Sequence, residues 1–266
     1  MCRLTTVCRM FRPCIDLRSG SVVQIVGSTL RDDPDGGAAE RVNFTSNLGS
    51  AWYAERYRHD GLTGGHVIML GPGNEPAAMA ALAAWPGGLQ VGGGITVTNA
   101  PEWLDAGASH VVVTSWLFDG VALAADRLVQ LVDEVGRDHL VIDLSCRRLD
   151  GEYRVVTNRW QTFSELVMNR DTLHRLADSC AEFLVHGVDV EGLGQGLDLD
   201  LVTLLSESSP IPATYAGGAR SLDDLHHVHD TSDGRVDLTI GSALDIFGGT
   251  GVAYADCVAF NRAHEH

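Results

Sequence analysis

The tetrapeptide CIDL at 14–17 returns as VIDL at 141–144, and this echo decides the fold. Each copy plants one carboxylate in an apolar run, Asp16 in the first and Asp143 in the second, 127 positions apart. Two further features recur in the same order at nearly the same spacing. GGGI at 92–95 is answered by AGGA at 216–219, and VTSWLFDG at 113–120 by IGSALDIFGG at 240–249, with Ser115 and Ser242 again 127 apart. Three matched features in one register describe a chain built from two similar halves, roughly 11–135 and 136–262.

The segments between these marks alternate regularly. Eight short runs are nearly continuously apolar: 12–16, 66–70, 89–92, 110–114, 140–144, 183–187, 212–216 and 237–241. Continuous rather than alternating hydrophobicity is the pattern of parallel strands covered on both faces. Helix signals fall between them. Ser221 followed by Asp224 approximates a capping box. Asn99 is a cap candidate ahead of Pro101, with Gly107 as the stop. Regular βα alternation in two matched halves predicts a single (β/α)8 TIM barrel over 11–266, with 1–10 as a disordered extension. A doubly wound sheet is the alternative, but it would show fewer strands and one nucleotide fingerprint.

Composition narrows the function classes. The chain has 266 residues, 19 Lys and Arg against 35 Asp and Glu, and a net charge of −16. A scattered basic minority excludes a nucleic-acid polymer as partner. No run of 18 apolar residues is present, so no membrane span is expected, and the start MCRLTTVCRM lacks a signal-peptide core. The six cysteines form no CxxC pair and read as reduced thiols of a cytoplasmic protein.

In a barrel of this kind, chemistry sits at the C-terminal ends of the strands. Asp16 and Asp143 end strands one and five and so face each other across the mouth, where two carboxylates can act as general acid and general base. Gly93 and Gly94 follow strand three, and Gly217 and Gly218 follow strand seven; Ser115, and Gly241 with Ser242, follow strands four and eight. Glycine pairs let successive backbone N–H groups converge on an anion. Two such sites predict a ligand with a phosphate at each end and the aspartates between.

These motifs carry a family resemblance. CIDLRSG, QIVGSTL, HVIMLGPGN, LQVGGGI, VTSWLF, VIDLSCR, NRWQT, FLVHGVDVEGLGQGLD, YAGGARSLDDL and DLTIGSALDIFGG, spread from Phe11 to Asn261, resemble the histidine-biosynthesis isomerases. Those enzymes act on N'-((5'-phosphoribosyl)formimino)-5-aminoimidazole-4-carboxamide ribonucleotide, and the likeness is greatest to their fungal and plant branch. The resemblance implies an Amadori rearrangement on a bis-phosphorylated ribonucleotide by a monomer, with no metal or organic cofactor. It makes Asp16 the base and Asp143 the acid. Ungapped alignment to the bacterial fifth-strand motif SLDVR puts Ser145 at the acid's place instead, so both positions stay open. A bacterial threonine after strand six corresponds to His186, next to the acid Glu191, and His186 either orients substrate, transfers a proton or merely ends the strand. Arg18 either meets a phosphate or covers the rim. His226, His227 and His229 read as a solvated helix face rather than a metal site, and GLGQG at 192–196 as a mobile loop closing over substrate.

Three rivals remain at this level. The cyclase subunit of imidazole glycerol phosphate synthase shares the duplication but carries a lysine eight residues after its first aspartate, where this chain has Gln24. A catalytically silent phosphosugar-binding barrel has no use for carboxylates between two phosphates. A bifunctional isomerase also turning over phosphoribosyl anthranilate is left open.

Overall fold

The structure is a computed structural model that describes residues 10–25, 42–158, 160–190 and 196–264. Eight parallel strands form the central barrel. They are β1 (Phe11–Arg12 continued by Cys14–Arg18), β2 (Gly65–Met69), β3 (Leu89–Gly92), β4 (His110–Val113), β5 (Leu140–Asp143), β6 (Glu182–His186), β7 (Ala213–Ala216) and β8 (Val236–Thr239). Helices follow each in turn: α1 (Ser50–His59), α2 (Glu75–Ala84), α3 (Ala100–Asp105), α4 (Ala125–Val135), α5 (Arg170–Ala177), α6 (Leu199–Ser208), α7 (Leu222–Ser232) and α8 (Tyr254–His264). The fold is the expected (β/α)8 barrel.

Closure depends on a break that the apolar pattern did not reveal. β1 was expected at 12–16 as one piece; it is instead split at Pro13, which has no N–H to give to a ladder. The short first part pairs with β8 (Phe11 opposite Leu238), and the second part pairs with β2 (Cys14 opposite His66). One strand thereby joins both edges and leaves the barrel no open side. Met10 already belongs to the fold: it is fully buried, and its carbonyl accepts from the Leu238 N–H at 2.6 Å. The barrel thus starts before residue 11, and only 1–9 of the expected extension lie outside the described residues, with Cys2 and Cys8 among them.

Alternation sends every second strand residue inward. At the N-terminal end the interior is filled by charge: Arg12 Nε donates to Asp237 Oδ2 at 2.7 Å and its other nitrogens to Glu182 Oε2 and the Gly64 carbonyl. Gln90 and Thr214 complete the Glu182 carboxylate at 2.9 and 2.7 Å. Burial alone would lower the Arg12 pKa, but Glu182 and Asp237 outweigh it and hold the guanidinium charged. Above this plug Val112, Val141, Leu184 and Ala216 form an apolar layer. In the layer between barrel and helices, Phe183 and Tyr215 from the strands and Tyr53, Tyr57, Phe247 and Tyr254 from outside them are fully buried. Burying each such side chain contributes about 1.5–3 kcal/mol.

Caps fix where the helices begin. Ser221 and Asp224 form the full capping box. Asn99 sits at the start of α3 as expected, but its side chain does not cap the helix; it accepts from Thr96 N and donates to the Gly94 carbonyl. Gly107 ends that helix with a φ of +106°. Among the described residues, no helix is long and apolar enough to cross a membrane and no cluster of His, Cys, Asp and Glu could hold a metal. His226 and His227 are exposed, but His229, expected on the same solvated face, is half-buried with its ring 5.9 Å from that of Phe260. Cys14, Cys146, Cys180 and Cys257 are buried free thiols.

Candidate active site

β1 carries Asp16 to the mouth and then turns back on itself. Ser19 and Gly20 both have positive φ (+49° and +78°), the geometry of a tight hairpin. The return strand, Ser21–Ile25, runs antiparallel with Val23 opposite Asp16. Gln24 follows, buried, and its side-chain N–H2 lies 3.5 Å from Asp16 Oδ2 and 3.7 Å from Cys14 Sγ. The hairpin is held to the loop after β2 by Asn74, which accepts from Gly20 N at 2.9 Å. Asp16 therefore projects from a pinned strand and is flanked by a neutral amide.

Across the mouth the arrangement has an additional layer. Asp143 ends β5, and Ser145, fully buried one pleat above, donates its hydroxyl to Asp143 Oδ1 at 2.9 Å. His186 ends β6 and brings Nδ1 within 3.4 Å of the same Asp143 oxygen. A cleft open to solvent is lined by Cys14, Asp16, Gln24, His66, His186, Ala216, Gly217, Gly218, Ala219, Thr239, Gly241 and Ser242. His186 lines it; the Asp143 side chain beside it keeps 11% exposure against 15% for His186, and Ser145 is fully buried.

The glycine pairs take the same unusual backbone in both halves. Gly93 and Gly94 have φ of +95° and +71°, Gly217 and Gly218 of +132° and +72°. A polar side chain at the start of the next helix ties down the first pair and, after the second pair, the turn that leads into the helix. Asn99 holds the Gly94 carbonyl, and Asp224 accepts from Arg220 N and Ser221 N at 2.8 and 3.0 Å. A Cβ on Gly93 would overlap the Met69 carbonyl oxygen, and one on Gly218 the Gly196 carbonyl oxygen. Gly217, Gly218, Gly241 and Ser242 border the cleft beside Asp16. Gly93, Gly94 and Ser115 stand at the ends of β3 and β4, on the same rim but outside the cleft wall, as does Arg18 at the end of β1. Glu191 and residues 192–195 of the expected closing loop lie outside the described residues.

Three cleft features escaped the sequence reading. His66 points into the barrel below the mouth; burial, reinforced by His186 nearby, lowers its pKa to about 3 against a smaller upward pull from Asp143. It is a neutral imidazole at any working pH. Thr239 is buried on the cleft wall, and its hydroxyl has no hydrogen-bond partner among the described residues. Trp160 places its ring 6.0 Å from that of His186. It belongs to a three-stranded antiparallel ribbon (Cys146–Leu149, Glu152–Thr157, Thr162–Val167) between β5 and α5. The signal for it was there: Asp150-Gly151 between alternating residues is a hairpin turn, and both have positive φ.

Comparison with known proteins agrees with this geometry. Residues 10–249 match the family described as "Histidine biosynthesis protein". A chloroplastic protein of Medicago truncatula, named 1-(5-phosphoribosyl)-5-((5-phosphoribosylamino)methylideneamino) imidazole-4-carboxamide isomerase, is 52% identical over 255 residues, 95% of this chain and 81% of that one. Proteins with the same isomerase name from Neurospora crassa and Saccharomyces cerevisiae are 51% and 47% identical, each over 95% of this chain and 98% of theirs. With the family matched along nearly the whole barrel and half of all residues shared with its relatives, the chain belongs to the histidine biosynthesis protein family.

Proposed function

We propose that the chain isomerises the bis-phosphorylated imidazole-carboxamide ribonucleotide for which its relatives are named, converting an aminoaldose to an aminoketose. The observation that carries the reading is the cleft itself. A carboxylate, Asp16, and His186 line it, Asp143 lies within 3.4 Å of His186, and a glycine-lined anion site borders them. The acid side protonates the ribose ring oxygen and opens the ring to an iminium. Asp16 removes the proton from C2', and the enolamine relaxes to the ketone. Proton transfers of this kind contribute roughly 10²–10⁴-fold per group.

Gly217, Gly218, Gly241 and Ser242 are assigned to one phosphate, and Gly93, Gly94 and Ser115, with Arg18 at the rim, to the other. The duplicated positive-φ pairs support this assignment, since successive amides in such turns can converge on an anion. Gln24 beside Asp16 favours isomerisation over cyclisation, which in the paralogous subunit uses a lysine there. The reading takes the chain to work as a monomer in the cytoplasm without cofactor. A fluorescent fusion distinguishes cytosol from the plastid of the Medicago relative. The test is turnover of the purified chain on this ribonucleotide without ammonia or a glutaminase, with phosphoribosyl anthranilate as a second substrate. Conversion of the first, alone or with the second, supports the reading; dependence on ammonia overturns it.

A further inference from the structure

We infer that Gln24 is the positioning residue of the proposed base: its side-chain amide is wedged between Asp16 and Gly241, aims the carboxylate and links it to the anion site after β8. The inference rests on the proposed isomerase reading and deepens it. β8 pairs with β1 only at Phe11–Arg12, and beyond that point the return strand Ser21–Ile25 takes the same edge. Gln24 lies on this return strand and is 4% exposed, a costly place for an amide whose polar ends are unused. One end points at the base: Nε2 donates to Asp16 Oδ2 at 3.5 Å and lies 3.7 Å from Cys14 Sγ. The other end explains a glycine. A Cβ on Gly241 would overlap Gln24 Oε1 and come within 3.6 Å of Cys14 Sγ. Gly241 is not among the glycines of positive φ, so its backbone would accept a side chain, and the Gln24 amide is what fills the space. Turned over, the amide would set Oε1 against the carboxylate, two acceptors face to face.

An uncharged donor suits a base. A cation at this place would bind the carboxylate's charge too firmly for it to take a proton, and a second carboxylate would repel it. The 3.5 Å separation is long, as catalytic hydrogen bonds often are before substrate tightens them. The titratable groups around Asp16 come from several elements. Cys14 and Arg18 share its strand, and Tyr57 of α1 donates to the Cys14 carbonyl at 3.0 Å behind it. His66, held neutral, and His186 complete the cleft wall, with Asp143 beside His186.

The wedge also ties proton abstraction to phosphate binding. Gly241 and Ser242 border the cleft with Gly217 and Gly218, the group assigned to one phosphate. A carboxamide is planar, so its Oε1 at Gly241 and its Nε2 at Asp16 move together. A substrate anchored by its phosphate on the loop after β8 therefore meets a carboxylate whose place is set from that same loop. Abstraction from C2' needs such aim, since a misplacement of about 1 Å costs roughly 10²-fold in rate.

The test uses the purified full chain, with thermal unfolding of every variant as a control for folding. Two readouts are taken: kinetics on the bis-phosphorylated ribonucleotide across pH, and titration of the Asp16 carboxyl by carbon-13 NMR of aspartate-labelled chain. The NMR signal is assigned by its absence in Asp16→Asn and needs no turnover. Gln24→Met keeps the length of the side chain but has no N–H to give, so kcat should fall roughly 5–50-fold with KM within about threefold. The acid limb of kcat and the Asp16 titration should both move to higher pH. Gln24→Glu keeps the shape and sets a second carboxylate beside the first, so both should move the same way and further. Gly241→Ala pushes Oε1 aside; it should lower kcat in the wild-type background but not further in Gln24→Met. An Asp16 titration left in place by folded Gln24→Met or Gln24→Glu overturns the inference, and either variant decides it if the other does not fold. A loss confined to KM also overturns it, because Gln24 is then a substrate contact. Absence of turnover by wild type refutes the isomerase reading, while the NMR titration still decides this inference.

Discussion

Adding one carbon to Gly218 tests the anion site at its tightest point. A Cβ there would overlap the Gly196 carbonyl oxygen and stand 3.1 Å from Val190 Cβ, on a residue whose φ of +72° disfavours any side chain. The left-handed backbone alone costs roughly 1–2 kcal/mol. The overlap is with main chain rather than a flexible tip, so either the Gly196 segment or the 217–219 loop must move, by about 1 Å. A shift of that size takes amides out of line with a bound phosphate. A hydrogen bond to a charged group is worth about 1.5–3 kcal/mol, so losing one raises KM roughly 10–150-fold. Gly61→Ala, between α1 and β2, is the control: its φ is similar at +73°, but its Cβ would meet nothing within 4 Å. That variant should show the backbone strain as a small loss of stability, with KM within about threefold. Steady-state kinetics on the bis-phosphorylated ribonucleotide, with melting temperatures, separates the two. A folded Gly218→Ala with KM within twofold of wild type refutes the placement of a phosphate at this loop.

Three further outcomes follow from particular contacts. Arg12→Met leaves Glu182 and Asp237 buried without their cation, and breaking such a pair costs about 3–5 kcal/mol, read as a lower urea midpoint; a change below about 1 kcal/mol contradicts the account of the plug. His66 is held neutral in the fold but titrates near 6.5 when unfolded, so its contribution is complete above that pH and is lost as pH falls toward about 3. Wild type should therefore lose up to about 1.4 kcal/mol more per pH unit across that window than His66→Gln does, measured by denaturation at a series of pH values; parallel curves count against it. Thr239→Val keeps the shape of the side chain and removes a cleft-wall hydroxyl without a protein partner among the described residues, which the account gives to the ligand, so KM should rise about 2–10-fold with the melting temperature unchanged or higher.

Much of this architecture was legible because its physics is local and periodic. Doubly covered strands are apolar throughout, and a duplicated half-barrel repeats its marks, so Asp16, Asp143 and both glycine pairs could be placed before any coordinates. What escaped was decided by contacts between distant segments. Pro13 looks like an ordinary strand start, yet it divides β1 so that each part serves a different neighbour. Asn99 has the right type and place for a cap, but the Gly94 loop competes for its side chain. Spacing put Asp143 at the mouth; only packing shows the His186 ring within 3.4 Å of its carboxylate. The ribbon after β5 carried a hairpin signal in Asp150-Gly151 that the expectation of plain βα alternation passed over.

The most direct measurement concerns Asp16. Purified wild type and Asp16→Asn are given the bis-phosphorylated aminoaldose without ammonia, and formation of the aminoketose is followed beside substrate binding. Wild type should turn the substrate over, and Asp16→Asn should bind it about as well while losing roughly 10²–10⁴-fold in kcat. An Asp16→Asn variant within tenfold of wild type, or a wild type that reacts only when ammonia is supplied, contradicts the account.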